Sequence, residues 1–167
     1  FVPPNPGNPG IAAGAALAAS GRRSKSGSNT TVSAFLGPEF QLEEIKQTLD
    51  NCKVSSECLS ESEVIAECVR DLVRGRLVGW FQGRMEWGPR ALGNRSILGD
   101  PRRADMKDIL NLKIKRRESF RPFAPSVLRE DVADWFEMDT DSPYMLLVAD
   151  VVKDRRRAMT ADEEKLF

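Results

Sequence analysis

The chain has 167 residues, 41% of them hydrophobic, and carries 25 basic and 25 acidic side chains. That length suits one domain, or one with the edge of another. No apolar run approaches the roughly 18 residues that a membrane span needs, and zero net charge argues against whole-surface attraction to a bilayer or to nucleic acid. Histidine is absent, which removes Ser–His and Cys–His catalysis and histidine metal sites from this chain. The three cysteines, Cys52, Cys58 and Cys68, have no CxxC spacing and read as reduced thiols of a cytoplasmic protein.

In chain order, residues 10–20 (GIAAGAALAAS) predict a small-residue helix entered from a Pro/Gly turn. Residues 21–36 begin polar and Gly/Ser-rich and read as a linker. A helix is predicted over 40–49, with Leu42, Ile45 and Leu49 on one face. Another follows Ser60, which forms a capping box with Glu63; Val64, Ile65, Cys68 and Leu72 are its apolar stripe and Gly75 its stop. Residues 38–72, which contain both helices, hold nine acids and three bases. Leu77–Phe81 predicts a short buried strand running into Gly83. Residues 104–114 predict a helix with Met106, Ile109, Leu110 and Leu112–Ile114 largely inward. Pro122 and Pro125 force an extended path over 120–128. A short acidic helix over 129–137 and a strand over Tyr144–Val152 complete an α/β pattern, in which ligand loops sit at strand ends.

The chemistry is concentrated between residues 84 and 121. Eleven basic side chains stand there against five acids, among glycines and prolines. Guanidinium forks bind two anionic oxygens at once, and glycine lets backbone N–H groups come close, so the segment reads as a small-anion site. In Gly83–Arg95 the glycines recur every five residues, with Arg84, Arg90 and Arg95 close behind. This fits neither a Walker loop nor a GxGxxG fingerprint. The loop either wraps a phosphate or carboxylate, or is a solvated turn whose arginines pair with the acidic helices. Asn94 and Ser96 are candidate hydrogen-bond donors. In KIKRRESFRPF, Lys115 and Arg121 flank Glu118; Arg121, between Phe120 and Pro122-Phe123, reads as a buried charge needing an anionic partner. Lys113, Arg116 and Arg117 are equally well a basic helix end. Glu86 and Asp100 could hold magnesium or orient an arginine. Arg155–Arg157 is most simply a solvated charge run.

GRMEWGPRALGNRSILGDPR and KIKRRESFRPFAPSVL strongly resemble the carbamoyltransferases of the nodulation-factor and antibiotic-tailoring type, and VPPNPGNPGIAAGAAL resembles the last motif of that family's N-terminal domain. The resemblance implies a two-domain enzyme. Its N-terminal domain is actin-like and holds an iron-type metal and a nucleotide; its C-terminal domain is α/β and YrdC-like, a twisted sheet with flanking helices. That second domain would convert carbamoyl phosphate and ATP, with magnesium, to carbamoyl adenylate, and the carbamoyl group would pass to a hydroxyl-bearing acceptor in the first. By motif position, Arg90, Lys115 and Arg121 match residues that hold carbamoyl phosphate and the adenylate. Arg84, Asn94, Arg95 and Ser96 are added as binding candidates from the residues themselves.

On this reading residues 1–20 are the tail of the actin-like domain, 21–36 a linker, and 37–167 the first part of the YrdC-like domain, incomplete at its C-terminus. The Gly7-Asn8-Pro9-Gly10 stretch has asparagine where the family usually has aspartate. Two other readings are a threonylcarbamoyl-adenylate-type RNA-modification enzyme and a truncated, inactive anion-binding module.

Overall fold

The computed structural model describes residues 5–21 and 33–164; residues 22–32 of the expected linker lie outside the described residues. The chain divides into two compact units, one reaching to Phe123 and one beginning at Ala124.

In the first unit, α1 (Asn8–Ala19) follows the NPG turn with Pro9 in its first turn. Helix α2 (Leu42–Asn51) starts with a box in which the Gln41 N–H donates to Glu44 Oε2 at 2.8 Å. Helix α3 (Glu61–Val73) starts at the expected Ser60/Glu63 box, the Ser60 N–H donating to Glu63 Oε2 at 2.8 Å. It ends at Gly75, whose φ of 77° is left-handed and whose N–H reaches Leu72 O at 2.8 Å. The face expected inward is only partly so: Cys68 and Leu72 are half-buried, while Val64 and Ile65 are exposed.

Strand β1 (Val78–Phe81) pairs antiparallel with β2 (Arg95–Leu98), Val78 opposite Leu98 and Phe81 opposite Arg95. These are the only strands among the described residues. The architecture is thus mixed helix and small antiparallel sheet, with residues 82–94 as a long hairpin loop. The expectation that Leu77–Phe81 is buried is corrected: burial alternates along β1, and Phe81 is half-exposed beneath the Arg95 guanidinium, 3.5 Å from its ring centre.

Only the first part of the 104–114 helix is α-helical. After α4 (Met106–Ile109) the chain widens to a π-helix over Leu110–Lys115, closed by Arg116 at φ 47°, ψ 53°. The wider turn changes which side chains face inward. Met106, Leu110 and Asn111 are buried; Leu112 and Ile114, expected inward, are exposed. Beneath the loops Met106 packs so close to Gly99 that a Cβ there would lie 2.8 Å from its sulfur. Residues 120–128 contain no helix, as their prolines require.

In the second unit a 3-10 turn (Arg129–Asp131) leads into α5 (Val132–Trp135), matching the short acidic helix. The strand expected over Tyr144–Val152 does not form. One isolated bridge, Phe136 to Val151, stands in its place, and Val148 is fully exposed. Met145 at φ 54° interrupts the extended path with a left-handed backbone that lies outside the regular strand region. The basic run is not simply solvated either: Arg155 stacks on Trp135 at 4.6 Å and Arg156 pairs with Glu137 at 3.0 Å.

Candidate anion site

Two basic segments carry the candidate residues, and a single buried side chain organises each. In the hairpin loop that side chain is Glu86. One of its oxygens, Oε1, accepts the backbone N–H groups of Leu92 at 2.8 Å, Asn94 at 2.8 Å and Arg95 at 3.1 Å. Burial pushes this carboxyl up, but the backbone N–H groups of Leu92, Glu86 itself, Arg95 and Asn94 together leave the pKa lowered. The first half of the loop is held from outside: Gly37 N–H donates to Met85 O at 2.9 Å, Met85 N–H to Pro38 O at 2.9 Å and Trp87 N–H to Ala34 O at 2.6 Å. The end of the expected linker therefore braces the loop.

The polar candidates of this loop divide sharply. Ser96 Oγ accepts the Gly93 N–H at 2.9 Å. Asn94 donates from Nδ2 to Arg84 O at 2.7 Å and accepts from Gln82 Nε2 at 3.1 Å. Arg95 grips carbonyls: Nη1 reaches Gln82 O at 2.7 Å and Asn94 O at 2.9 Å, and Nη2 reaches Gly83 O at 3.1 Å. These three residues build the loop. Arg84 is exposed and uses Nη2 on Leu36 O at 3.2 Å. Arg90, exposed at the loop's outer end, has no hydrogen-bond or ionic partner among the described residues.

The second segment turns on Asn111, which is fully buried. Its Nδ2 donates to Arg121 O at 2.9 Å and to Ser119 O at 3.4 Å, and its Oδ1 accepts from Arg117 Nε at 2.7 Å. Arg117 also lies over the Phe123 ring at 4.9 Å. Lys115 is exposed, with no partner among the described residues. Arg121 is not the buried charge that its apolar neighbours suggested. It is half-exposed, beside a Phe120 that is 75% exposed, and its Nε pairs with Glu118 Oε2 at 3.1 Å. The prolines hold this stretch extended at the surface, so the aromatic rings never close over the guanidinium. No hydrogen bond or ion pair among the described residues joins the two segments.

Of the two carboxylates raised as magnesium ligands or arginine partners, Asp100 is the arginine partner. It takes the Arg102 N–H at 3.0 Å and the guanidinium at Nε (2.9 Å) and Nη2 (2.7 Å). The Arg102 side chain, then its backbone N–H, hold the carboxyl at about 2. A folded-state pKa below the unfolded value of roughly 3.9 stabilises the fold above that value; the contribution is lost as pH falls towards 2. Thermal unfolding followed from pH 5 to pH 2 should accordingly show a steeper loss of Tm in the wild type than in Asp100→Asn. No group of three or more His, Cys, Asp or Glu side chains that could hold a metal ion occurs among the described residues. No described helix is long and apolar enough to cross a membrane.

The N-terminal motif meets the loop at one point. Asn5 is buried, its Nδ2 lacks a hydrogen-bond partner, and a Cβ on Gly88 (φ 126°) would come within 2.8 Å of that atom. Asn8, the departure from the family pattern, is exposed in the first turn of α1. Glu86 and Asn111 were not recognised as the organisers of the site. For Glu86 a signal exists in the sequence, a lone acid inside a glycine-rich loop; for Asn111 none does, because its inward placement depends on the π-helix.

Residues 69–163 match the family model described as carbamoyltransferase C-terminus. The whole chain is 47% identical to an uncharacterized protein of Synechocystis sp., over 28% of that protein's length. It is 40% identical to nodulation protein NolO of Bradyrhizobium diazoefficiens over 90% of the chain and 28% of the relative. Over 45% of the chain it is 52% identical to the 3'-hydroxymethylcephem-O-carbamoyltransferase of Amycolatopsis lactamdurans, covering 14% of that enzyme. The chain thus spans little more than a quarter of the first two relatives' length.

Proposed function

The chain belongs to the carbamoyltransferase C-terminal family, and from that premise we propose that it is the region of an O-carbamoyltransferase that binds carbamoyl phosphate and ATP and forms carbamoyl adenylate. The carbamoyl group then passes to a hydroxyl of an acceptor bound elsewhere in a longer protein. The observation that carries this reading is the division of the cations. Arg95 and Arg117 hold backbone and amide oxygens, whereas Arg90 and Lys115 project without partners from loops that are already built.

Joining two polyanions is opposed chiefly by their charge. Fixed cations offset that repulsion, and they are most effective when their framework needs no rearrangement. Atoms balance when one water enters and phosphate and pyrophosphate leave. Arg90 is the loop cation of this scheme and Lys115 its point charge. Arg121, oriented through Nε by Glu118, keeps both terminal NH2 groups for phosphate oxygens. Arg84 lends further positive charge at the loop's entrance. Magnesium would accompany ATP as its counter-ion, and no step is assigned to it.

Calorimetric titration of carbamoyl phosphate, with and without a non-hydrolysable ATP analogue, tests the reading. Arg90→Ala and Lys115→Ala should each weaken binding by about 10- to 100-fold, the range for one charge-assisted hydrogen bond. Their Tm should stay at the wild-type value. Wild-type affinity in both variants would refute the assignment.

A further inference from the structure

We propose that Asn111 is a positioning residue for the donor site, fixing the backbone that carries Lys115 and Arg121 before any anion arrives. The inference rests on the function just proposed. Its starting point is a side chain in an expensive place. Asn111 is the one fully buried side chain of its size class among the described residues, and an amide out of water must have its hydrogen bonds met. A leucine, branched at the same atom, would need no hydrogen bonds there.

Every side-chain bond of this amide goes to one short stretch, residues 117–121. Nδ2 reaches the carbonyls of Ser119 and Arg121, and Oδ1 receives Arg117 Nε. The Asn111 backbone oxygen also accepts the Arg117 N–H at 3.2 Å. The amide can sit only this way round, because both carbonyls need a donor and the guanidinium needs an acceptor. One side chain therefore ties the start of the π-helix to residues 117–121, closing the segment that displays Lys115 and Arg121.

The backbone agrees. A π-helix is rare, and this one buries Leu110 and Asn111 while Leu112 and Ile114 are exposed. Arg116 holds the left-handed conformation that sharpens the exit from the helix. Each feature is unfavourable by itself, and together they are explained by a loop whose shape matters more than its stability.

Asn111→Leu and Asn111→Ala should both loosen this loop; the alanine leaves room for a water to restore part of the bonding and serves if the leucine variant does not fold. Two readouts are taken at a temperature well below either variant's Tm. Hydrogen exchange should quicken at least tenfold at residues 115–121 and remain unchanged across 78–98. Affinity for carbamoyl phosphate should fall at least tenfold, although every cation is still present. If either variant exchanges faster but binds as the wild type does, Asn111 is structural only and the proposal is overturned. Wild-type binding by the Asn111 variants while Arg121→Ala binds weakly overturns this inference and leaves the functional reading standing. Wild-type binding by Arg90→Ala, Lys115→Ala and Arg121→Ala alike overturns both.

Discussion

Glu86→Ala should lower the Tm by on the order of 10 °C and abolish measurable carbamoyl phosphate binding, although no cation is removed. The carboxylate oxygen is the shared acceptor of three N–H groups spread over four residues. Removing it leaves the N–H groups of Leu92, Asn94 and Arg95 without their partner inside the loop. Unmet donors cost about 1–3 kcal/mol each when water is excluded, and less where it can enter as the loop relaxes. A total of roughly 3 kcal/mol corresponds to such a shift for a chain of this size. Glu86→Gln keeps an acceptor oxygen but turns an NH2 towards some of the same donors, and should fall between. Circular dichroism melts of the three proteins check the order; a Glu86→Ala midpoint within about 2 °C of wild type would contradict it.

The second large effect separates two arginines five residues apart. Arg95→Ala removes the grip on the carbonyls of Gln82, Gly83 and Asn94 and uncovers the Phe81 ring. Those bonds close the mouth of the hairpin, where the sheet has only four residue pairs to hold it. The group is half-buried, so the loss is roughly 2 kcal/mol rather than the full value for buried charged hydrogen bonds. Arg95→Lys should recover little of it, since a single ammonium cannot span three carbonyls. Arg90→Ala should leave the melt unchanged. Urea unfolding distinguishes them: a midpoint shift confined to Arg95 variants supports the division of roles, and equal shifts at both positions contradict it.

Much of the fold that depends on local chemistry was legible in the sequence. The Ser60/Glu63 box, the Gly75 stop and the prolines of 120–128 act within a few residues, so their meaning survives any tertiary context. What was not legible depends on partners distant in sequence. Tyr144–Val152 has strand composition, yet a strand exists only where another chain segment pairs with it, and Phe136 meets it at one bridge alone. The π-helix reverses the inward face after Leu110, a change that 3.6-residue periodicity cannot express.

The basic cluster itself was plain from residue types; its division of labour was not. Arg84, Arg90, Arg95 and Arg121 look alike as letters in a Gly/Pro-rich string. Which of them hold backbone and which stand open is decided by carbonyls brought near by folding, including those of Leu36 at the end of the expected linker and Pro38 just after it. The family resemblance pointed to Arg90, Lys115 and Arg121, and the geometry leaves Arg90 and Lys115 without partners and Arg121 partly paired. For Arg95 and Ser96 the residue-type argument proposed binding, whereas their donors and acceptors serve the loop.

The measurement that bears most directly on the central claim is a backbone amide NMR titration of the 18.6 kDa chain with carbamoyl phosphate. Saturable shift changes centred on residues 88–91 and 115–121, with Leu92, Asn94 and Arg95 still protected from exchange by Glu86, are the predicted result. Changes scattered over the lysines and arginines of the whole surface, or none at these two loops, would contradict it.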